Sequence, residues 1–531
     1  MKKLIRIASA VALSAIAVAA PCAPFRVAAN AATAAFDNIM IQSGRDTTEL
    51  NFNYVTYERP DATIVQIAPA SYYSGTFPVA VSMSFKGTAE KTPISMQING
   101  KNAFVYDNEV VATGLSPSTE YVYRVGNGYD WSECYTYKTP ALDSYRIFAF
   151  SDIHMYDLYH PSIEAGQNWQ RNLTRITRTW PEISHALALG DQMQDSDRLD
   201  YNEYLLKPKE LRNISFAPIN GNHDVNPAGT YFQKYFYNAP NIAKEGDDAY
   251  TGRNIEDYYY LYGDTLFVML NYEYNAVKWK DNLGHWEKTL IKATEEYAGK
   301  YEWLIACFHE DVYGEGFTTD IADRDGITDY NNENSLEGEY HRYQSMIDAL
   351  DRYKVDLVLD GHAHTYTRSY FMQGGKIVQN TRDASGAYVD PVGIPYIGCS
   401  TTSTLGGDEN ELYPRNEYTA HPWLDNSLSQ SWRSTYLVLE SNENYLTVTA
   451  YEVKDPLHVF DTITLKKSNS GYVPPTADGL SANFAGISAD GERTDGAKTA
   501  AIATTGAVGM SAVALTVGLA VKKRKERRGN R

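Results

Sequence analysis

Hydrophobic and polar positions change period along the chain. From about Phe36 to Pro140 they alternate: Leu50, Phe52 and Tyr54 against Asn51 and Asn53, then Val81, Met83 and Phe85 against Ser82 and Ser84. Period two is that of a strand with one buried face, and the Asn99-Gly100 and Gly114 turn signals make the stretch a small β-sandwich. From Tyr145 onward, solid apolar runs of strand length alternate with helical patterns, as in a sheet covered by helices. Tyr343, Met346, Ile347 and Leu350 fall at i, i+3, i+4 and i+7 and predict a helix packed on that sheet; Glu287 to Lys300 reads as another. The stretch from Gly314 to Tyr340 is acidic, rich in Asn and Gly, and reads as an insertion loop whose Asp323-Arg324-Asp325-Gly326 misses the calcium-loop spacing. Alternation returns at Tyr436, Val438, Leu446 and Val448, so Ser434 to Lys466 is expected to complete the sheets.

The apolar runs share one feature: five of them stop at residues that ligate metals. Ile147 to Phe150 precedes Ser151-Asp152-Ile153-His154, and Ala186 to Leu189 precedes Gly190-Asp191. Phe216 to Ile219 precedes Asn220-Gly221-Asn222-His223-Asp224, and Trp303 to Phe308 precedes His309. Val355 to Asp360 precedes Gly361-His362-Ala363-His364. α/β sheets build their sites at the carboxyl ends of strands, so these side chains are expected to meet. Hard carboxylate and amide oxygens mixed with imidazoles suit divalent first-row metals, and the donors outnumber what one tetrahedral ion needs, so two ions are implied.

Composition narrows the partners. A formal charge of -18 over 531 residues leaves no basic surface to neutralise phosphates, which argues against nucleic-acid binding. The cysteines Cys22, Cys134, Cys307 and Cys399 are too scattered for a disulfide framework, and the last two sit in apolar runs as small buried hydrophobes. Lys2, Lys3 and Arg6 precede an apolar run and Ala32-Thr33-Ala34 offers a small-x-small cleavage site, so 1–34 reads as a secretory signal peptide. Thr499 to Val521 carries no charge and is followed by Lys522-Lys523-Arg524-Lys525, which predicts a C-terminal transmembrane helix over 499–521 with 522–531 as a cytoplasmic basic tail. The Ser/Gly/Pro/Ala segment 468–498 reads as a disordered linker between the catalytic part and this anchor. Thr494-Asp495-Gly496 resembles the end of a sortase signal, but the Leu-Pro half is missing, so the expectation is an extracellular protein held by the membrane rather than by the cell wall.

Thr113 to Gly126, with Asp130-Trp131-Ser132 and Tyr137-Lys138-Thr139-Pro140, resembles the end of a fibronectin type III-like domain, similar to the one preceding the catalytic domain of purple acid phosphatases. Tyr54 stands where that family often has Trp in an early strand. The ordered set Asp-x-His, Gly-Asp, Gly-Asn-His-Asp, His, Gly-His-x-His resembles the calcineurin-like metallophosphoesterase superfamily, over about Arg146 to Lys466. The resemblance implies an α/β fold: a two-sheet sandwich flanked by helices over 145–467, preceded by the β-sandwich over 36–140. It implies two divalent ions (Fe, Mn or Zn), the first held by Asp152, His154, Asp191 and His364, the second by Asp191, Asn222, His309 and His362. The bridging Asp191 counts among the catalytic residues, because two ions so placed polarise a phosphate and acidify the water that attacks it. His223 would protonate the leaving oxygen as general acid, with Asp224 orienting its ring. Gly361 to Arg368 matches the purple acid phosphatase Gly-His-x-His-x-Tyr-x-Arg, which makes Arg368 a candidate for substrate binding or, at least as readily, for a structural ion pair.

In one place the sequence departs from the purple acid phosphatases. Gln194 occupies the position of their iron-binding Tyr, and His154 supplies a ligand where they carry Gly. The activity expected is hydrolysis of phosphomonoesters of small molecules or nucleotides. A phosphodiesterase or nucleotidase on the same site is one alternative, and a surface adhesin with structural metals and 42 tyrosines for glycan stacking is a more remote one. An intact His223-Asp224 pair speaks against the adhesin, since a structural metal needs no proton donor. Among the remaining histidines, His160, His185, His285, His341, His421 and His458, structural roles are expected, with His421 closest to a loop that could reach the site.

Overall fold

The computed structural model describes residues 36–92, 96–98, 101–155, 162–194, 205–224, 239–241, 257–271, 279–314, 336–403, 421–425, 427, 431 and 433–468. Two sheets pack face to face. The larger has eleven strands in the order Tyr388–Val389, Val459–Lys466, Tyr445–Glu452, Thr435–Asn442, Ser144–Phe150, His185–Leu189, Ser215–Ile219, Asp37–Ser43, Glu49–Thr56, Tyr106–Thr113, Thr88–Lys91. The smaller has six: Tyr258–Tyr262, Thr265–Met269, Trp303–Cys307, Leu357–Asp360, Tyr396–Gly398 and Thr367–Arg368.

Alternate residues of the central strands face opposite layers, and both layers are apolar. Ile147, Leu187 and Ile219 meet Met269, Cys307 and Leu359 between the sheets. Phe148, Ala186 and Phe216 point the other way, under Trp169, Leu173 and Ile176 of the helix Ser162–Thr179. On the far side Leu304, Ala306 and Val358 pack under Leu290, Met346 and Leu350 of the helices Trp279–Glu296 and Leu336–Arg352. Burial on both faces is why these strands read as solid apolar runs, and it gives the expected sandwich flanked by helices. Ser144–Phe150, His185–Leu189 and Ser215–Ile219 run parallel, as do Thr265–Met269, Trp303–Cys307 and Leu357–Asp360, so within each sheet the carboxyl ends share one edge.

The N-terminal all-β domain is present. Its second sheet, Tyr135–Lys138, Glu120–Gly126, Ile64–Pro69 and Met83–Lys86, encloses Phe52, Tyr54, Val65, Ile67, Tyr121 and Tyr123. What the alternation did not predict is that this domain's first sheet continues into the catalytic one: Asp37–Ser43 pairs in parallel with Ser215–Ile219, Gln42 opposite Phe216. Asn51 and Asn53, expected to face solvent, are therefore buried at 2% and 0% exposure. Val81 lies in a short 3-10 turn, Val79–Val81, rather than in a strand.

Both predicted helices start at other positions than the sequence suggested. The first begins at Trp279 instead of Glu287, because Asn282 and Gly284, poor helix formers, mask its opening turns in the pattern. The second begins at Leu336, inside the expected insertion loop, and kinks at Tyr343 (φ -111°, ψ 15°). Residues 315–335 of that loop lie outside the described residues, as do 1–35 and 469–531 with the expected signal peptide, linker and anchor. Among the described residues no helix is long and apolar enough to cross a membrane. Cys307 and Cys399 are fully buried free thiols in the core between the sheets.

Candidate metal centre

Five strand ends deliver the candidate ligands to one place. The loop after Ser144–Phe150 carries Asp152 and His154; Asp191 follows His185–Leu189; Asn222 follows Ser215–Ile219; His309 follows Trp303–Cys307; His362 and His364 follow Leu357–Asp360. The ligand atoms of Asp152, His154, Asp191 and His364 lie within 4.8 Å of one another, and so do those of Asp191, His309 and His362. Asn222 joins the second group, its Oδ1 3.1 Å from His362 Nδ1. All seven are thus brought together, and Asp191 belongs to both groups.

The donors converge on points where a cation would sit. His364 Nε2 is 3.1 Å from Asp152 Oδ1 and 2.8 Å from His154 Nε2, and His309 Nε2 is 3.1 Å from Asp191 Oδ2. Asp152 Oδ1 is buried and accepts no hydrogen bond, which leaves it ready for a metal. Buried carboxylates among imidazoles are the donor set of a divalent first-row ion, so the residues present fit the metals the sequence implied. Burial alone would push the Asp152 and Asp191 carboxyls up, but the facing imidazoles of His364, His154 and His309 outweigh it and hold both below the usual carboxylate range. Burial, with His309 beside it, lowers His362 and keeps its ring neutral for ligation.

The backbone is bent to aim these side chains. Asp152, His154, Asp191, His362 and His364 all have positive φ, from 46° to 68°, a region that costs a non-glycine residue about 1–3 kcal/mol. Motif glycines make the close approach possible: a Cβ on Gly190 would stand 2.2 Å from His309 Nδ1, and one on Gly221 2.1 Å from Asp191 Oδ1. His309 Nδ1–H donates to Leu189 O at 2.7 Å, and His154 Nδ1–H donates to Gln194 Oε1 at 2.8 Å; each bond leaves Nε2 for the centre.

His223 sits at the rim, half-buried, its ring 5.0 Å from that of His154 and its backbone N–H donating to Asp191 Oδ1 at 2.8 Å. The expectation that Asp224 orients this ring does not match the contacts. Asp224 accepts instead from the backbone amides of Gly221, Gln192 and Met193 at 2.9, 3.1 and 3.0 Å, tying the Asn222 loop to the Asp191 loop. What faces His223 Nδ1 is Gln194, its backbone oxygen at 2.8 Å and its side-chain amide at 3.2 Å. Arg368 is likewise corrected as a substrate ligand: its guanidinium is buried against Asp461 at 2.7 Å and Asp425 at 3.1 Å, a structural ion pair.

Two sets of residues were missed by sequence reading. Gln194 is the common support of His154 and His223, a role that its place at the position of the missing Tyr does not announce. Glu310 and Asp311 form a further acidic group with His362, Glu310 Oε2 lying 3.6 Å from His362 Nε2. Their signal was position, directly after the ligand His309. Of the remaining histidines, His421 stacks on Trp423, 4.4 Å apart and 5° from parallel, and His458 is exposed beside Glu452. His160 and the side chains of His285 and His341 lie outside the described residues.

Comparison with known proteins agrees with this geometry. The family model for the purple acid phosphatase N-terminal domain matches residues 36–139, and that for calcineurin-like phosphoesterase matches 145–366. No curated protein matches. The purple acid phosphatase PPD1 from yellow lupin (Lupinus luteus) seeds shares the fold with a TM-score of 0.59 and 15% identity, over 83% of this chain and 77% of that one. PhoD (TM-score 0.49, 11% identity, 81% and 89% covered) and GAP50, the anchor in the inner membrane complex of Plasmodium (0.37, 13%, 64% and 94%), overlap more loosely. Fold and site define a metal-dependent phosphoester hydrolase of mixed α/β architecture. The chain carries a calcineurin-like phosphoesterase domain, with the purple acid phosphatase N-terminal domain ahead of it.

Proposed function

We propose that the protein hydrolyses phosphomonoesters at a two-metal centre, outside the cell and held to the membrane by residues 499–521. The observation that carries the catalytic part is the sharing of Asp191 between two groups of ligand-type side chains. Asp152, His154, Asp191 and His364 would hold one divalent ion and Asp191, Asn222, His309 and His362 the other. When bound, the ions would supply Lewis acidity at the phosphate oxygens and lower the pKa of water.

The chain's own residues do the rest. Gln194 O accepts from His223 Nδ1–H, which leaves Nε2 as the nitrogen free to carry a proton to the leaving oxygen. Asp224 keeps the two ligand loops in register through its three amide bonds, and Gln194 Oε1 fixes His154 as an Nε2 ligand. The monoester preference is supported by the match of residues 36–139 to the purple acid phosphatase N-terminal domain. The deciding experiment is side-by-side turnover of a mono- and a bis-aryl phosphate by metal-analysed protein. Faster cleavage of the diester would replace the reading with a phosphodiesterase.

The location rests on sequence: the basic-then-apolar start, the uncharged span Thr499 to Val521 and the basic flank after it. Truncation before Thr499 should move activity from the membrane fraction to the medium. Retention of the truncated chain in the membrane would refute the anchor.

A further inference from the structure

Against one flank of the helix Ser162–Thr179 lies a cleft with about 380 Å³ of empty space, counting the part open to solvent. Four cations line it: Arg171, Arg175, Arg433 and Lys454. They come from three separate parts of the chain, in a protein whose formal charge is -18. Arg171 and Arg175 stand one helical turn apart, where like charges repel, and two more cations have been brought to the same spot. Arg433 is paired with Glu452 at 2.8 Å, whereas Arg175 makes no ion pair among the described residues and reaches only the Val453 carbonyl, at 3.4 Å.

The floor is polar and fixed. Asn168 and Asn172 are buried at 6% and 7% exposure, Ser434 at 7%. Asn172 Nδ2 donates to Thr402 O at 2.8 Å, and Ser434 Oγ donates to Ser403 O. A fixed polar floor under several guanidinium groups is the arrangement that holds an oxyanion, since each guanidinium presents a planar fork of donors matched to two of its oxygens. The concentration of positive charge would also collect such an anion locally from solution against the overall negative field.

We propose that this cleft is a second phosphate-binding site, separate from the metal centre, for free phosphate or the phosphoryl end of a small phosphorylated molecule. The choice of phosphate follows from the chain being a phosphoester hydrolase, which works amid that ion. The site also adjoins the frame of the metal centre: Thr402, held by Asn172, donates its N–H to Ser151 O at 2.9 Å, next to Asp152.

The test is equilibrium dialysis of the metal-loaded full chain against labelled inorganic phosphate, wild type beside Arg175→Gln/Lys454→Gln. The wild type should bind one more phosphate per chain, or the same site at least roughly tenfold more tightly, as expected for loss of charged hydrogen-bond donors. Turnover of nitrophenyl phosphate by the variant should stay within about twofold, because the two side chains changed are exposed and belong to neither group of metal-ligand candidates. Unlabelled phosphate and methylphosphonate then serve as competitors. Displacement by both marks a site for phosphoryl ends, displacement by phosphate alone a site for the free ion, and displacement by neither sinks the proposal. Equal phosphate binding by wild type and a folded variant sinks it too, while turnover reads the metal centre independently. If the double variant fails to fold, Arg433→Gln provides the same comparison.

Discussion

At the scale of single residues, the centre depends on groups that never touch a metal. Gln194 stands where the purple acid phosphatases have a ligand, and it compensates by holding His154 through its side chain and His223 through its backbone oxygen. Gln194→Leu keeps the volume and removes the polar end, so His154 loses the partner that fixes its tautomer. Metal affinity should fall by about 10- to 100-fold, the usual cost of losing such a partner, and dialysis against graded chelator measures it. An unchanged chelator profile would show that His154 is positioned by its strained backbone alone. His223 differs in kind, because the proposal gives the ligand role to its neighbour Asn222 and its own ring rests on Gln194 O. His223→Asn should cost about 100- to 10,000-fold on an alkyl phosphate, whose alkoxide needs a proton, and much less on nitrophenyl phosphate. Equal losses on both, together with lost metal, would make His223 a ligand or a support.

At the scale of elements, the strands could be read from the sequence more surely than what hangs from their ends. Solid apolar runs such as Ala186 to Leu189 announced burial on both faces, and the ligands after them followed from where parallel strands end. The partners of those ligands could not be read: Asp224 binds backbone amides, Gln194 uses both its side chain and its backbone oxygen, all set by loop geometry, and Arg368 met its carboxylates 57 and 93 residues away. His185 shows a buried histidine with a purely structural part. It opens the strand His185–Leu189 between Ser215 Oγ at 2.7 Å and Tyr260 OH at 2.8 Å, stacked on Tyr262. Burial lowers its pKa from 6.5 to about 3, against the opposing contact with Ser215. The folded pKa being the depressed one, the unfolded chain binds the extra proton. The stabilising term is therefore complete above about pH 6.5 and is lost as pH falls toward 3, at about 1.4 kcal/mol per unit. Denaturant unfolding at pH 7 and 4.5 should show this loss in the wild type, and a smaller one in His185→Asn. Parallel losses in the two proteins would place the acid sensitivity elsewhere.

At the scale of the whole molecule, the sequence suggests two domains joined at about residues 140–145, and the structure joins them through a sheet instead. Alternation identified the N-terminal strands, yet nothing in a period of two says that an edge strand will pair with another domain. The joint is Asp37–Ser43 against Ser215–Ile219, the strand that leads to Asn222, so the N-terminal domain braces an element of the site. Met40, Val55 and Val105 share one core with Leu205, Leu211 and Phe216. Tyr123 OH donates to Arg212 O at 2.6 Å, Asn213 Nδ2 to Thr136 O at 2.7 Å, and Leu261 N to Arg45 O at 2.9 Å. Removing residues 36–140 would leave Ser215–Ile219 with an unpaired edge and uncover part of that apolar core, both of which favour aggregation. Domains with separate cores unfold separately, whereas a shared sheet and core couple the two transitions. Calorimetry on the chain lacking the segment from Thr499 should therefore give one cooperative transition, and a fragment starting at Tyr145 should be insoluble or far less stable. Two resolved transitions, with the fragment reproducing the upper one, would mean that the parallel pairing contributes little and that the domains stand apart in solution.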